Sequence, residues 1–184
     1  DVPQIIGSMA IRRDGNAIVA LANGVHSLDF ATGACAPLAS STELNDQVQL
    51  ADGKVDRRGR FIVGSSDRGM KEARGKLFVL DPGASELRQI DGDIFLANGP
   101  CWSPDDRTFY HADSIRKLIY AYDYDIGQGV VTNRRPFAST EALGGIPDGA
   151  TVDTDGCVWS AICEGAKVVR FRPDGSIDRI IEMP

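Results

Sequence analysis

A chain of 184 residues with 42% hydrophobic and 25% charged side chains is long enough to bury a core and has the make-up of a soluble globular protein. Its net charge is −6 and its Lys and Arg residues are scattered, which excludes the clustered basic surface that a nucleic-acid partner requires. No apolar run approaches the roughly 20 residues needed to span a bilayer, so no membrane partner is expected.

The N-terminal Asp1-Val2-Pro3-Gln4 has neither the basic nor the apolar region of a secretory leader. The four cysteines, Cys35, Cys101, Cys157 and Cys163, lack metal-site spacing. They read as reduced thiols of a cytoplasmic protein, with a Cys157–Cys163 bridge as the open alternative.

Taken in chain order, four segments repeat one pattern of small-residue entry, apolar strand, polar turn and second apolar strand. They begin at Ser8-Met9-Ala10-Ile11, Asp52-Gly53-Lys54-Val55, Gly99-Pro100-Cys101-Trp102 and Asp148-Gly149-Ala150-Thr151. Their turns centre on Gly15, Gly59, Asp106 and Gly156, which are 44, 47 and 50 residues apart. Gly and Asp tolerate the positive φ that tight hairpin turns need.

Each turn is followed by a β-rich run: Ala17–Leu21, Phe61–Gly64, Thr108–Ala112 and Cys157–Ala161. A further strand follows in each unit, at Val25–Asp29, Lys76–Asp81, Lys117–Asp123 and Lys167–Phe171. The period is that of a propeller blade of four short strands. No segment sustains a 3.6-residue apolar period, so the fold class is all-β. Trp102 and Trp159 are expected at equivalent blade positions, packed in the core. His26 and His111 have no nucleophile motif beside them and read as packed or rim histidines.

The segment Ala51-Asp52-Gly53-Lys54-Val55-Asp56-Arg57-Arg58-Gly59-Arg60-Phe61 resembles a DGK-containing motif of the SMP-30/gluconolactonase family. Asn98-Gly99-Pro100-Cys101-Trp102-Ser103-Pro104-Asp105 resembles its PNG motif, and Pro147-Asp148-Gly149 its PDG motif. The stretch from His111-Ala112-Asp113-Ser114 to Asp123-Tyr124-Asp125 resembles a fourth. The resemblance implies a six-bladed β-propeller with about four blades in this chain, forming one domain over residues 1–184 that is truncated at both ends.

It also implies metal-dependent hydrolysis of a sugar lactone by a divalent cation in the central channel. Ca²⁺ leads, with Zn²⁺, Mn²⁺ and Mg²⁺ as other candidates. By resemblance Asn98 and Asp148 are metal ligands, and their hard oxygen donors suit such ions. Both are expected just before an inner strand. Asp148 is in addition the implied general base. The family's third ligand, a Glu in a Glu-Gly-Pro motif, has no counterpart here, which implies truncation by about one blade.

The sequence departs from the family where an Arg and an Asn precede the DGK and contact sugar hydroxyls. Those positions are Gln49 and Ala51, so Gln49 is the remaining substrate-binding candidate of the pair. Asp67 aligns with a loop that lines the substrate side and is the second such candidate. Two alternatives stay open: a non-catalytic metal-binding regulatory or scaffold propeller, and a hydrolase of another ester class on the same site.

Overall fold

The computed structural model describes residues 2–184 and contains sixteen strands in four antiparallel sheets of four. Each sheet is a meander in which every strand pairs with its chain neighbour. The first holds β1 (Ser8–Ile11), β2 (Ala17–Leu21), β3 (Gly24–Leu28) and β4 (Cys35–Ala39). The second holds β5 (Val48–Val55), β6 (Phe61–Asp67), β7 (Gly75–Leu80) and β8 (Arg88–Ile94). In the third are β9 (Ala97–Trp102), β10 (Thr108–Asp113), β11 (Leu118–Asp125) and β12 (Val130–Ser139). The fourth comprises β13 (Ile146–Val152), β14 (Val158–Cys163), β15 (Lys167–Phe171) and β16 (Ile177–Glu182). Among the described residues the one helical element is a single 3₁₀ turn, Glu141–Leu143, so none is long and apolar enough to cross a membrane.

The chain divides into two compact units, one running through Leu96 and the other starting at Ala97. In the first, Ala20, Val25, Leu50, Phe61, Val63, Phe78 and Leu80 form the core. All seven residues of β6 are buried, because this strand is covered on both faces and reads as a continuous apolar and small-residue run. In the second unit the core is built from Cys101, Tyr110, Ile119, Ala121, Val158, Ile162, Val169 and Phe171. Trp102, Phe109, Tyr122 and Tyr124 form a second, aromatic cluster, with ring centroids 5.3–6.2 Å apart in tilted geometry.

The four expected turns are all present. Gly15, Gly59, Asp106 and Gly156 have φ of 85°, 83°, 59° and 81°, the left-handed conformation that Gly and Asp accept. Each donates its N–H to the carbonyl three residues back, on Arg12, Asp56, Ser103 and Asp153 respectively. The side chains at these positions tighten the turns. Asp56 accepts the N–H groups of Arg58 and Arg60 at 2.8 Å each. Ser103 accepts the N–H of Thr108 at 2.9 Å and donates to Asp105 at 2.6 Å. Asp153 accepts the N–H groups of Asp155 and Cys157, the Trp159 indole N–H at 2.8 Å and the Arg170 Nε at 2.8 Å.

The two tryptophans are not equivalent, contrary to the reading of the repeats. Trp102 lies on β9, the first strand of its sheet, and Trp159 on β14, the second strand of its sheet. The first packs on Phe109 and Tyr124, whereas the second is tied by its indole to Asp153. All four cysteines are free thiols, Cys101 and Cys157 buried and Cys163 exposed. Both histidines are buried. Burial, and secondarily the Arg134 charge, lowers His111 to about 3, so it is neutral at ordinary pH.

Burial raises the Asp153 carboxyl, but its hydrogen bonds from Arg170, Trp159 and Cys157 outweigh that and bring it to about 2. A carboxyl depressed on folding contributes stability above its ordinary value of 3.8 that is lost as pH falls through about 2. Asp153→Asn should therefore cost on the order of 1–2 kcal/mol near pH 7, after a discount for partial exposure. Urea melts across pH should show the gap between wild type and variant closing between about pH 4 and pH 2. A gap that persists unchanged at pH 2 would contradict this assignment.

Candidate metal centre

Three of the four first strands carry the same irregularity. In β5 the register runs from Leu50↔Ser65 to Gly53↔Val63, in β9 from Asn98↔Ala112 to Cys101↔Tyr110, and in β13 from Pro147↔Ile162 to Ala150↔Ser160. In each, three steps on the first strand oppose two on its partner, which is a β-bulge. The bulges fall on Ala51-Asp52, Gly99-Pro100 and Asp148-Gly149, within the motifs that repeat in the sequence. A bulge leaves one residue out of the ladder and turns its neighbours away from the regular pleat. Asn98 and Asp148 consequently lie inside β9 and β13, at their bulged starts, rather than before them as the sequence suggested.

Both residues belong to the second unit, and the structure brings their backbones together. Gly99 has φ of 59°, and a Cβ placed on it would lie 2.7 Å from the Asp148 carbonyl oxygen and 2.9 Å from the Ala150 Cβ. Only glycine allows this approach. The Asn98 amide Nδ2 donates to Ser114 Oγ at 2.9 Å, and that hydroxyl donates to the Pro147 carbonyl at 2.6 Å, one residue before Asp148.

Asn98 and Asp148 are both half-buried. The carboxylate of Asp148 and the Oδ1 of Asn98 take no hydrogen bond or ion pair within the described residues. An amide oxygen and a carboxylate, both unengaged among the described residues and carried on bulged strands whose backbones touch, form a donor set that fits a hard divalent cation. No group of three His, Cys, Asp or Glu side chains gathers among the described residues, so the fit rests on one amide and one carboxylate.

The two substrate-binding candidates lie in the first unit. Gln49, on β5, is half-buried, pairs across the ladder with Ser66 and makes no side-chain hydrogen bond among the described residues. Asp67, at the end of β6, pairs with Val48, so the two candidates project from opposite faces of the β5–β6 pair. The Asp67 carboxylate is turned onto its own loop. It accepts the N–H of Lys71 at 3.0 Å and the Arg74 guanidinium at 2.9 Å, and these bonds lower its pKa, the backbone one most. The Ala51 carbonyl accepts the Ser8 hydroxyl at 2.9 Å. Ser114 stands in the fourth family-like stretch, yet sequence reasoning gave it no role, because its contact with Asn98 spans sixteen residues.

The SMP-30/Gluconolactonase/LRE-like region matches the chain over residues 1–184, and the chain belongs to this family. Among characterised relatives, regucalcin of Xenopus laevis is 33% identical over 97% of the chain and 62% of the relative. The 6-deoxy-6-sulfogluconolactonase of Pseudomonas putida is 34% identical over 100% of the chain and 62% of the relative. The chain thus spans a little under two thirds of the length of these proteins. A solved structure of the calcium-binding protein regucalcin from Agrobacterium tumefaciens superposes with a TM-score of 0.91. The match is 24% identical and covers 100% of this chain and 62% of that one.

The close approach at Gly99 makes a stability prediction. Gly99→Ala combines a positive φ with a clash against backbone and should cost about 1–3 kcal/mol. Gly149→Ala, which meets nothing within 4 Å and has no positive φ, should stay within about 0.5 kcal/mol of wild type. Thermal melts of the two variants measure the difference, and equal costs would show that the approach is not tight.

Proposed function

We propose that the full-length protein hydrolyses a sugar lactone and that Asn98 and Asp148 hold a divalent cation in its active site. The observation that carries the reading is the unengaged amide–carboxylate pair on the PNG-like and PDG-like bulges. Membership of a family whose description includes gluconolactonase supports it, as does similarity to a sulfogluconolactonase. The naming of a structural neighbour as a calcium-binding protein favours Ca²⁺ among the candidate ions.

When bound, such a cation would polarise the lactone carbonyl and acidify an adjacent water. Asn98 contributes a neutral oxygen and Asp148 a negative one, so Asp148 carries the charge that attracts the ion. The Asp148 carboxylate, free of partners among the described residues, is also able to take a proton from water as the water oxygen bonds to the carbonyl carbon. The ring C–O bond then breaks and the departing oxygen receives a proton, leaving the open hydroxy acid. Gln49 would offer a sugar hydroxyl one neutral hydrogen bond. A binding role without catalysis is the second reading, favoured by Ala51, which has no polar side chain where the family's sugar-contacting Asn stands.

Lactone opening by the full-length protein, followed as acid release with added Ca²⁺, Mn²⁺ or Zn²⁺, tests these roles. Asp148→Asn should abolish turnover, because it removes charge and base together, at a cost of several kcal/mol. Gln49→Ala should cost at most about tenfold, the worth of a neutral hydrogen bond of roughly 0.5–1.5 kcal/mol. Near wild-type rates for Asp148→Asn would remove its catalytic role. An absence of hydrolysis with every metal and ester would leave the binding role.

A further inference from the structure

We propose that Ser114 is a positioning residue that fixes which end of the Asn98 carboxamide faces the cation, an inference resting on the reading of Asn98 and Asp148 as ligands. The argument is one of proton accounting. Ser114 Oγ lies 2.6 Å from the Pro147 carbonyl oxygen and 2.9 Å from the Asn98 carboxamide nitrogen. A carbonyl oxygen can only accept, and a serine hydroxyl has a single proton. That proton is committed to Pro147, so toward Asn98 the hydroxyl can only accept. The end of the carboxamide facing Ser114 must then be its NH₂, which turns Oδ1 away.

The freed Oδ1 meets no donor among the described residues, and neither does the carboxylate of Asp148. One hydroxyl therefore ties the strand of one ligand residue to the side chain of the other. Without it the carboxamide is free to flip and present its NH₂, a donor that repels a cation.

The surroundings hold Ser114 rigidly. It is fully buried in the β10–β11 turn, as is its neighbour Asp113. Its carbonyl accepts the N–H of Lys117 at 3.1 Å, where Lys117 has φ of 55°. Asp113 grips Arg116 Nη1 at 2.9 Å across the same turn. A buried, fully hydrogen-bonded hydroxyl in a braced turn has one orientation available, which is what orienting a ligand demands.

The test is a double-mutant cycle on cation affinity, read by titration calorimetry of the metal-stripped full-length protein with Ca²⁺ and with Mn²⁺. Ser114→Ala should weaken binding about 10–100-fold, the usual cost of losing an outer-shell partner. In an Asn98→Asp background both oxygens at position 98 are acceptors, so there is no orientation to fix. There Ser114→Ala should cost less than about threefold. Equal penalties in the two backgrounds would mean that Ser114 acts only through folding, and no penalty in either would mean that it does not act on the cation at all. Both results overturn the proposal.

Should Ser114→Ala fail to fold, Ser114→Cys keeps the volume with a poor hydrogen-bonding group and carries the same cycle. Failure of the underlying site reads differently. It would appear as wild-type protein that binds neither ion, or as unchanged affinity in Asp148→Asn.

Discussion

The displaced register at the start of β5, β9 and β13 is the constraint on which the rest depends. A regular strand would send alternate side chains to the two sheet faces and bury half of them in the sheet packing. Inserting one unpaired residue breaks that alternation at one place. It brings the Gly99 backbone against the Asp148 carbonyl and leaves Asn98 and Asp148 half-buried near the starts of β9 and β13. The glycine is a consequence of that approach, because any side chain at 99 would occupy the space of the neighbouring carbonyl.

The acidic residues show how the same side chain serves two ends. Asp56, Asp67 and Asp153 each accept several donors from their own turn or loop, and Asp67 and Asp153 are lowered in pKa by those bonds. Their negative charge is spent on local backbone geometry. Asp148 accepts nothing from the described residues although it sits beside a tightly bonded carbonyl–hydroxyl–amide chain. In a structure where most buried polar groups are paired, a carboxylate and an amide oxygen left unengaged among the described residues, on two bulged strands whose backbones touch, are the feature that calls for a ligand.

The division into two units has a chemical counterpart. The second unit contains both proposed cation ligands and the hydroxyl that orients one of them. The first contains the candidates for substrate recognition, and here the structure separates Gln49, whose side chain is uncommitted among the described residues, from Asp67, whose carboxylate braces the Lys71–Arg74 loop. Of the two, Gln49 is the one with hydrogen-bonding capacity to spare.

Much of this was legible in the residues. Hairpin turns need positive φ, so the Gly and Asp at positions 15, 59, 106 and 156 marked the repeat. The strand runs between them placed β2 and β15 to the residue. The resemblance of Asn98-Gly99-Pro100 and Pro147-Asp148-Gly149 to the family's motifs likewise pointed to Asn98 and Asp148, because a short motif is a local feature of the chain. What the sequence could not carry was anything depending on register or on contacts across the chain. The bulges moved Asn98 and Asp148 into their strands. Trp102 and Trp159 fell on different strands for a simpler reason: Trp102 precedes the Asp106 turn and Trp159 follows the Gly156 turn. The commitment of Asp67 to its loop and the bonding of Ser114 to both Asn98 and Pro147 were likewise decided only by tertiary structure. A hydrogen bond is chosen by distance and by where a single proton can go, and neither is written in the order of residues along the chain.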